Sequence, residues 1–354
     1  MLSINTSRLG LPQYFLFALL LLLKPLNAQL QLTPLQADSS SNFRGISALS
    51  AHECWVSGSK GMIFHISQDG KKIEDCSAKG YEDFDFRDIH AFDSETVWVL
   101  SAGLPAVILK TTNGGKSWKE VYRNEEDGVF FDAFDFWNEE RGMAFSDARG
   151  QALLIIETID GGDTWQPIPS NQIPSVFENQ GGFAASGSSL KTFEGGKAII
   201  GLGGRESTLL ITENYGKSWY RGFAPIDQGE DSKGIFAFAF IDSKNILVVG
   251  GDYRADSLST DCISISNNGG YSWKVTQESR IHLKNKYRSS ILALDAKKWF
   301  AISRTGASYT EDAGKSWKEF PFYFYSASEK EGTIWVSGSN GRIGRISILQ
   351  EKSE

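Results

Sequence analysis

Hydrophobic residues in this chain occur in short runs that are separated by glycine and polar residues. Residues 86–121 show the pattern, with "FRDIHAF", "TVWVLSA", "AVILKT" and "WKEVY" following one another. Short runs rich in β-branched and aromatic side chains, bounded by turn residues, are typical of β-strands. This segment therefore predicts four consecutive strands.

An eight-residue motif lies between the third and fourth of these strands and recurs along the chain. Its tryptophans are spaced by 47, 54, 54 and 44 residues. This spacing is typical of one four-stranded propeller blade per repeat. The copies are "TTNGGKSW" (111–118), "TIDGGDTW" (158–165), "TENYGKSW" (212–219), "SNNGGYSW" (266–273) and "TEDAGKSW" (310–317), with a shorter version lacking tryptophan, "SQDGKKI", at 67–73.

The residue types of the motif indicate a structural role. An Asp or Asn at its third position can accept hydrogen bonds from nearby backbone N–H groups. The glycine at its fifth position permits positive φ, and the tryptophan supplies a large apolar surface between sheets. Since a catalytic group does not need five copies, we interpret the motif as a hairpin that stabilises each blade.

The two ends of the chain predict how the ring closes. "WVSGSKGMIFHI" (55–66) and "WVSGSNGRIGRI" (335–346) are identical at eight of twelve positions, but the second copy stops near residue 349 without a motif. "QLQLTPLQ" (29–36) precedes the first blade and would complete the last one, which removes exposed sheet edges. Blade starts near residues 43, 86, 130, 183, 235, 287 and 322 predict an all-β, seven-bladed propeller over 29–349, with a tail at 350–354.

Residues 1–28 have the pattern of a signal peptide. Arg8 is followed by the apolar run "YFLFALLLLL" (14–23), and Ala28 stands at a suitable cleavage point. We expect a mature chain that starts at Gln29 and is exported, either periplasmic or secreted; an uncleaved anchor is the alternative. No cysteine stands at the cleavage point and no later stretch is long enough to span a membrane, so we expect no stable membrane anchor.

Charge and cysteine content restrict the class of ligand. Cleavage removes two basic residues, Arg8 and Lys24, and no acidic one, so the net charge changes from −7 to −9. An acidic protein is unsuited to nucleic acid. Three cysteines do not make a disulfide framework, and a Cys54–Cys76 bridge remains open. Neither cysteines nor histidines show metal-ligand spacing, so we expect no metal and no cofactor.

Candidate binding residues lie at the starts of the innermost strands, which line the mouth of a propeller's channel. In four of the seven starts an aromatic residue precedes a charged one, and alternation along a strand would turn the aromatic between blades and the charge toward the channel. Three converging guanidiniums would bind a carboxylate or phosphate; the alternative is that they pair with neighbouring aspartates and join blades. The charged residues are Arg44, Arg87, Asp132 and Arg288.

Loops between second and third strands add candidates at the same face. The longest, "GGDYRADSLSTD" (250–261), carries Asp252, Tyr253 and Arg254. In addition, "SDARGQ" (146–151) carries Asp147 and Arg149, and "GGRES" (203–207) carries Arg205. A long loop in a compact repeat is more often functional than the short ones around it. A solvated insertion is the alternative reading.

The octets resemble the Asp-box, or BNR repeat, of β-propeller proteins, in which the box lies opposite the binding funnel. Nearly the whole mature chain, with "FRG…WVSGS", "FFDAFDFW", "GIFAFAF" and "GGDY", resembles an exported propeller family related to the photosystem II stability/assembly factor. The resemblance implies a binding protein whose arginine-lined patch holds a membrane-protein subunit. Arg44, Arg87 and Arg288 are the positions for such a patch here. The bacterial branch has no established activity, although some members are called oxidoreductases.

Two enzymatic alternatives have weaker support in the residues. Sialidases also contain Asp-boxes and bind a sugar carboxylate with three arginines. Under this alternative Asp132 would be the acid/base and Tyr253 the nucleophile of this chain. Against it, the close carboxylate pair that retaining glycosidases usually need cannot be placed in the sequence. Redox chemistry lacks a cofactor motif, since "GLGGRE" (201–206) has Glu206 where the dinucleotide fingerprint needs glycine. We therefore predict a monomeric, non-catalytic protein that recognises a protein partner or an anionic ligand such as a glycan at its funnel.

Overall fold

The structure is a computed structural model that describes residues 29–37, 40–178, 180–255, 261–275 and 287–349. Within these residues seven four-stranded antiparallel sheets succeed one another along the chain. The innermost strand of each sheet contacts that of the next, and the last contacts the first, so the sheets form a closed ring. The predicted seven-bladed β-propeller is confirmed. The predicted signal peptide (1–28) and tail (350–354) lie outside the described residues.

Blades 1 to 3 have the regular order of four sequential strands. Blade 1 contains β2 (Phe43–Ser50), β3 (Glu53–Gly58), β4 (Ile63–Ser67) and β5 (Lys72–Asp75). Blade 2 contains β6 (Asp85–Ala91), β7 (Thr96–Ala102), β8 (Ala106–Thr112) and β9 (Lys119–Asn124). Blade 3 contains β10 (Phe131–Phe136), β11 (Gly142–Arg149), β12 (Ala152–Thr158) and β13 (Gln166–Pro167).

Blade 4 contributes a short strand to the sheet of blade 5. Blade 4 contains β14 (Leu190–Phe193), β15 (Lys197–Gly201), β17 (Thr208–Thr212) and β18 (Tyr220–Phe223). Its second-to-third-strand loop supplies β16 (Gly203–Gly204), which pairs with β19 of the next blade. Blade 5 then contains β19 (Glu230–Phe240), β20 (Ile246–Asp252) and β21 (Ile263–Ser266), and Lys274 forms a single bridge to β21 where a fourth strand would lie.

Blades 6 and 7 complete the ring. Blade 6 contains β22 (Ser290–Ala293), β23 (Trp299–Ser303), β24 (Gly306–Thr310) and β25 (Lys318–Phe320). Blade 7 contains β26 (Ser326–Lys330), β27 (Thr333–Ser337) and β28 (Arg342–Leu349). The N-terminal strand β1 (Gln29–Gln36) pairs antiparallel with β28 along its whole length, so the predicted closure is confirmed. Three single 3₁₀ turns, Gln68–Gly70, Ser170–Gln172 and Glu194–Gly196, are the helical elements of the described residues.

Side chains of the innermost strands join neighbouring blades by accepting backbone hydrogen bonds. Asp88 Oδ2 of blade 2 accepts the N–H of Phe134 in blade 3 at 2.9 Å, and Asp135 Oδ2 of blade 3 accepts that of Thr192 in blade 4 at 2.9 Å. The Oγ of Ser328 and the Oγ of Ser47 accept equivalent bonds in blades 1 and 2. These bonds fix how far one blade is displaced from the next, and so position the residues of the channel.

The repeated motif forms the hairpin after the third strand, as predicted. In blade 2 the Oδ1 of Asn113 accepts the N–H of Ser117 at 3.0 Å, and the Oγ1 of Thr111 accepts that of Gly115 at 3.0 Å. Because the third strand runs parallel to the first, the hairpin lies at the end of the blade away from the first strand's start. The Cys54–Cys76 bridge is not formed, since both thiols are free. In the described part of the chain no helix is long and apolar enough to cross a membrane.

Candidate functional site in the central funnel

Four innermost strands carry a β-bulge, which lies close to the first residue in β2, β6 and β10 and further along the strand in β19. In each, one residue has no partner on the neighbouring strand, as between Phe43 and Gly45 of β2. A bulge turns its extra residue out of the regular alternation and can aim it into a channel. The four residues without a partner are Arg44, Arg87, Asp132 and Phe236.

All four of these residues line one cavity at the mouth of the channel, with a volume of about 500 Å³. The structure therefore brings together three of the four charged residues that the sequence placed there. Tyr253, predicted from the long loop, also lines this funnel. Asp147, predicted from the loop 146–151, lines it as well, whereas Arg149 of the same loop pairs with Glu126 at 2.7 Å. Further lining residues that the sequence did not single out are Phe130, Phe183, Asp231, Tyr287, Arg304 and Tyr325.

The guanidinium of Arg44 lies 4.4 Å from the centre of the Tyr325 ring, in cation–π contact. Among the described residues it makes no ion pair or side-chain hydrogen bond. Burial, and next the charge of Arg87, lower the pKa of Arg44 from its ordinary value. An arginine nonetheless stays charged in proteins. A partly buried cation is thus held in place by a tyrosine face with no carboxylate opposite it.

Arg87 is only partly engaged by its own strand. Its Nε donates to Asp85 Oδ2 at 2.7 Å, and its guanidinium lies 5.8 Å from the centre of the Phe130 ring. The two terminal nitrogens make no hydrogen bond within the described residues. The fork of donors that suits a carboxylate therefore remains available. The alternative prediction is that the arginines pair with neighbouring aspartates. In Arg87 only Nε makes such a pair.

Asp132 and Asp147 form a carboxyl pair on the blade 3 side of the funnel. Asp132 is 1% exposed, and neither of its oxygens accepts a hydrogen bond in the described structure. Burial, and next the carboxylate of Asp147, raise the pKa of Asp132 well above its ordinary value. Asp147 Oδ1 accepts the N–H of Gly182 at 3.1 Å. Burial beside a second carboxyl group thus disfavours the ionised form of Asp132.

The opposite wall of the funnel is aromatic. Phe183 stacks on Phe236 with ring centres 3.9 Å apart and planes 7° apart. Tyr287 packs edge-on against Phe236 at 4.8 Å, and Tyr253 approaches Phe183 edge-on at 6.0 Å. The sequence predicts that the aromatic residues preceding the four charged ones pack between blades. Phe43, Phe86 and Phe131 are buried as predicted, whereas Tyr287 lines the funnel.

The segment 181–188 crosses the channel, where an innermost strand start was predicted at 182–186. The strand β14 begins only at Leu190. Ser186 Oγ donates to the carbonyl oxygen of Ser289 in blade 6 at 2.6 Å, and Ser326 Oγ in blade 7 donates to that of Ser186 at 3.2 Å. Gly187 has φ +67, and a Cβ there would lie 2.0 Å from Asp88 Oδ1. Small residues let the chain pass between blades and form the floor of the funnel.

Arg288 does not reach the funnel, so its predicted place there is wrong. Its side chain is 0% exposed. Nη1 donates to the carbonyl oxygen of Tyr287 at 2.9 Å, while Nη2 donates to Ser308 and lies 3.4 Å from Glu319 Oε2. The clamp of Arg44, Arg87 and Arg288 therefore does not form. The physical reason is strand register, because Arg288 stands at a buried position of its blade and not at one that faces the funnel.

The remaining predicted residues lie outside the funnel lining. Arg205 contacts the Phe177 ring at 5.0 Å, and Arg254 contacts the Tyr253 ring at 5.6 Å. Asp252 is buried and accepts the N–H of Arg254 at 2.9 Å, which shapes the turn that presents Tyr253. In the described ranges no group of three or more His, Cys, Asp or Glu residues could hold a metal ion.

A sequence signal existed for some of the residues that were missed. In "FYFYS" (322–326) Phe324 is buried while Tyr325 lines the funnel, so the two neighbours alternate as the strand rule requires. Arg44, Arg87 and Asp132 could be recognised in the sequence because each is a charged residue that follows an aromatic one. Phe183 and Arg304 carry no such signal, because their position depends on the crossing segment and on the packing of blades 5 and 6.

Residues 25–129, less than half of the chain, match the sequence profile of the family described as photosynthesis system II assembly factor YCF48. No curated protein matches the chain. The solved structure of YCF48 bound to D1 peptide is similar, with a TM-score of 0.65 and 14% identity over 89% of this chain and 94% of that chain.

Two further solved structures share the fold. YCF48 from Cyanidioschyzon merolae has a TM-score of 0.64 and 14% identity over 89% of this chain and 98% of that chain. Virginiamycin B lyase from Staphylococcus aureus has a TM-score of 0.65 and 13% identity over 91% of this chain and 100% of that chain. Because the sequence identities are this low, the similarity to these structures shows a shared fold and nothing more. The match of residues 25–129 to the family profile relates this chain to the photosystem II assembly factor family, and the propeller that it shares with both YCF48 structures agrees with that relation.

Proposed function

We propose that this protein is a non-catalytic, exported binding protein that holds a protein partner at its central funnel. The observation that carries the proposal is the guanidinium of Arg44, which lines the funnel with no acidic partner in the described structure. A desolvated cation without a counter-charge is costly for a folded protein, so its retention favours a role in binding an external anion. Arg87 adds the second cation.

The similarity to YCF48 supports a protein rather than a free anion as the partner, since that relative is solved with a D1 peptide bound. Export is supported by the charged, apolar and small-residue pattern of residues 1–28. The sialidase alternative loses its third clamp arginine, because Arg288 is fully buried. Its proposed acid/base, Asp132, has both oxygens covered.

The proposal is tested by affinity capture of the tagged protein from its own cells after cross-linking. The informative variant is Arg44→Ala/Arg87→Ala, and the control is Arg141→Ala, whose arginine follows the end of β10 and contacts Tyr215 instead. Charge-assisted hydrogen bonds contribute about 1.5–3 kcal/mol each, so we expect at least about a tenfold loss of partner in the double variant. Equal recovery from wild type and double variant would reject the proposal.

A fluorogenic sialoside assay on the same preparations tests the enzymatic alternative. We expect no hydrolysis above the buffer rate. Turnover that is lost in Tyr253→Phe would replace the binding proposal with a glycosidase.

A further inference from the structure

The funnel is divided into a cationic side and an aromatic side. Blades 1 and 2 contribute Arg44 and Arg87, whereas the segment 181–188 and blade 5 contribute Phe183, Phe236 and Tyr253. One cavity of about 500 Å³ contains both sides. This volume lies within the usual range for small-molecule sites, and a single small group can therefore touch both walls.

The cationic side retains donors that no acidic group engages. Of the two guanidiniums, only Arg87 has an acidic partner, Asp85, and only through Nε. Asp132 and Asp147 line the same cavity, but within the described residues neither carboxyl forms an ion pair or a hydrogen bond with these guanidiniums. The guanidinium of Arg44 and the two terminal nitrogens of Arg87 therefore remain for a ligand to engage.

Two exposed charged groups, Asp231 and Arg304, line the same cavity. They contribute one charge of each sign and so leave its charge balance unchanged.

The aromatic side is ordered and still has open surface. Phe183 is only partly buried and is backed by Phe236, whose ring lies parallel at 3.9 Å. Phe236 is in turn fixed by Tyr287, packed edge-on at 4.8 Å. Rings held in this way lose little conformational freedom when another ring stacks on them. Such a wall favours a planar group over an aliphatic one.

We infer that the funnel selects a carboxylate that adjoins a planar ring, with the carboxylate on Arg44 and Arg87 and the ring against Phe183. This inference rests on the proposed function and names the chemical group that the site takes. The carboxylate matches the forked donors of the guanidiniums. The group could belong to the end of a peptide chain or to a free aromatic acid, and the two sources share this chemistry.

The test is calorimetric titration of the full mature chain with three matched probes. N-acetylphenylalanine carries both groups, N-acetylphenylalaninamide lacks the charge, and N-acetylalanine lacks the ring. We expect the first to bind at least about tenfold more tightly than either of the others, since a charge-assisted bond or a stacked ring contributes that much. Equal binding of acid and amide, or of the phenyl and methyl probes, would overturn the inference.

Two variants separate the contribution of the charge from that of the ring. The readout is the ratio of two probe affinities in the same protein, which does not change if part of the variant is unfolded. Arg44→Ala/Arg87→Ala should remove the preference for acid over amide while the preference for the ring remains. Phe183→Leu should remove the preference for the ring while that for the acid remains. Arg141→Ala should keep both ratios. Unchanged ratios in the first two variants would place the binding site elsewhere and overturn the inference.

A second arm distinguishes the two sources. An acetylated pentapeptide of four glycines ending in phenylalanine should bind more tightly than N-acetylphenylalanine if the group is a chain end, because backbone contacts at the rim are added. Equal or weaker binding supports a free acid. If partner capture depends on the two arginines but no probe binds, only this inference falls. If the probes bind but capture is independent of the arginines, the proposed function falls instead.

Discussion

Arg288 occupies in blade 6 the position that Phe43 occupies in blade 1. The N–H of Arg288 donates to the carbonyl oxygen of Gly250 at 3.0 Å, and the N–H of Phe43 donates to that of Gly338 at 2.9 Å. Each glycine lies at the end of the second strand of the preceding blade. Both side chains are 0% exposed. A guanidinium thus fills a place that an aromatic ring fills elsewhere.

This equivalence predicts losses of stability of different size for two arginine substitutions. Arg288→Ala removes a fully buried side chain and its bonds to Tyr287 and Ser308. We expect the free energy of unfolding to fall by about 2–4 kcal/mol, from the cavity and the lost buried bonds. Arg44→Ala loses one cation–π contact and should cost about 1 kcal/mol or less. Urea denaturation of both variants provides the comparison, and a larger loss for Arg44→Ala would contradict the assignment.

The repeat made the fold predictable, whereas the site was predictable only in part. The tryptophan period gave the blades, and the matched segments at the two ends gave the closing strand. Arg44, Arg87 and Asp132 were predictable because each follows an aromatic residue at the start of an innermost strand. Arg288 was misplaced because "YR" at 287–288 resembles "FR" at 43–44, although the strand register is one residue later. The crossing segment 181–188 could not be foreseen, since it departs from the repeat.

The hairpin glycine of blade 6 offers a test of the motif's structural role. Gly314 has φ +80, and a Cβ there would lie 2.7 Å from Trp299. Gly332 has φ +75 with no atom within 4 Å of such a Cβ, and so serves as the control. Gly332→Ala should cost about 1–2 kcal/mol for the left-handed backbone alone, and Gly314→Ala about 1–3 kcal/mol more for displacing the indole. Equal costs in thermal or urea unfolding would show that the motif does not pack as described.

Asp88 gives the propeller a pH-dependent stability. Burial, as the largest cause, raises the pKa of Asp88 to about 7, whereas an unfolded aspartate titrates near pH 3.9. Between these values the unfolded chain has released a proton that the folded chain keeps. The contribution of Asp88 to the free energy of unfolding is complete below about pH 4. It is lost as the pH rises toward 7, by up to about 1.4 kcal/mol per pH unit.

The matched variant is Asp88→Asn, which does not titrate and can still accept the N–H of Phe134. The neighbouring charged residues Asp135 and Lys191 are present in both proteins. We expect the stability of wild type relative to the variant to decrease steadily from pH 4 to pH 7 in urea titrations. A difference that stays constant over this range would mean that Asp88 is ionised in the folded protein throughout.

The central claim is that the partner is held in the funnel and not on the motif face. A photo-reactive benzoylphenylalanine at Phe130, which lines the funnel beside Arg87, tests it most directly. Ile159 is the control position, because it is 64% exposed on the hairpin at the other end of blade 3. We predict a light-dependent adduct in cells from position 130 that disappears with Arg44→Ala/Arg87→Ala, and none from position 159. An adduct at 159, or one at 130 that survives the double substitution, would contradict the account.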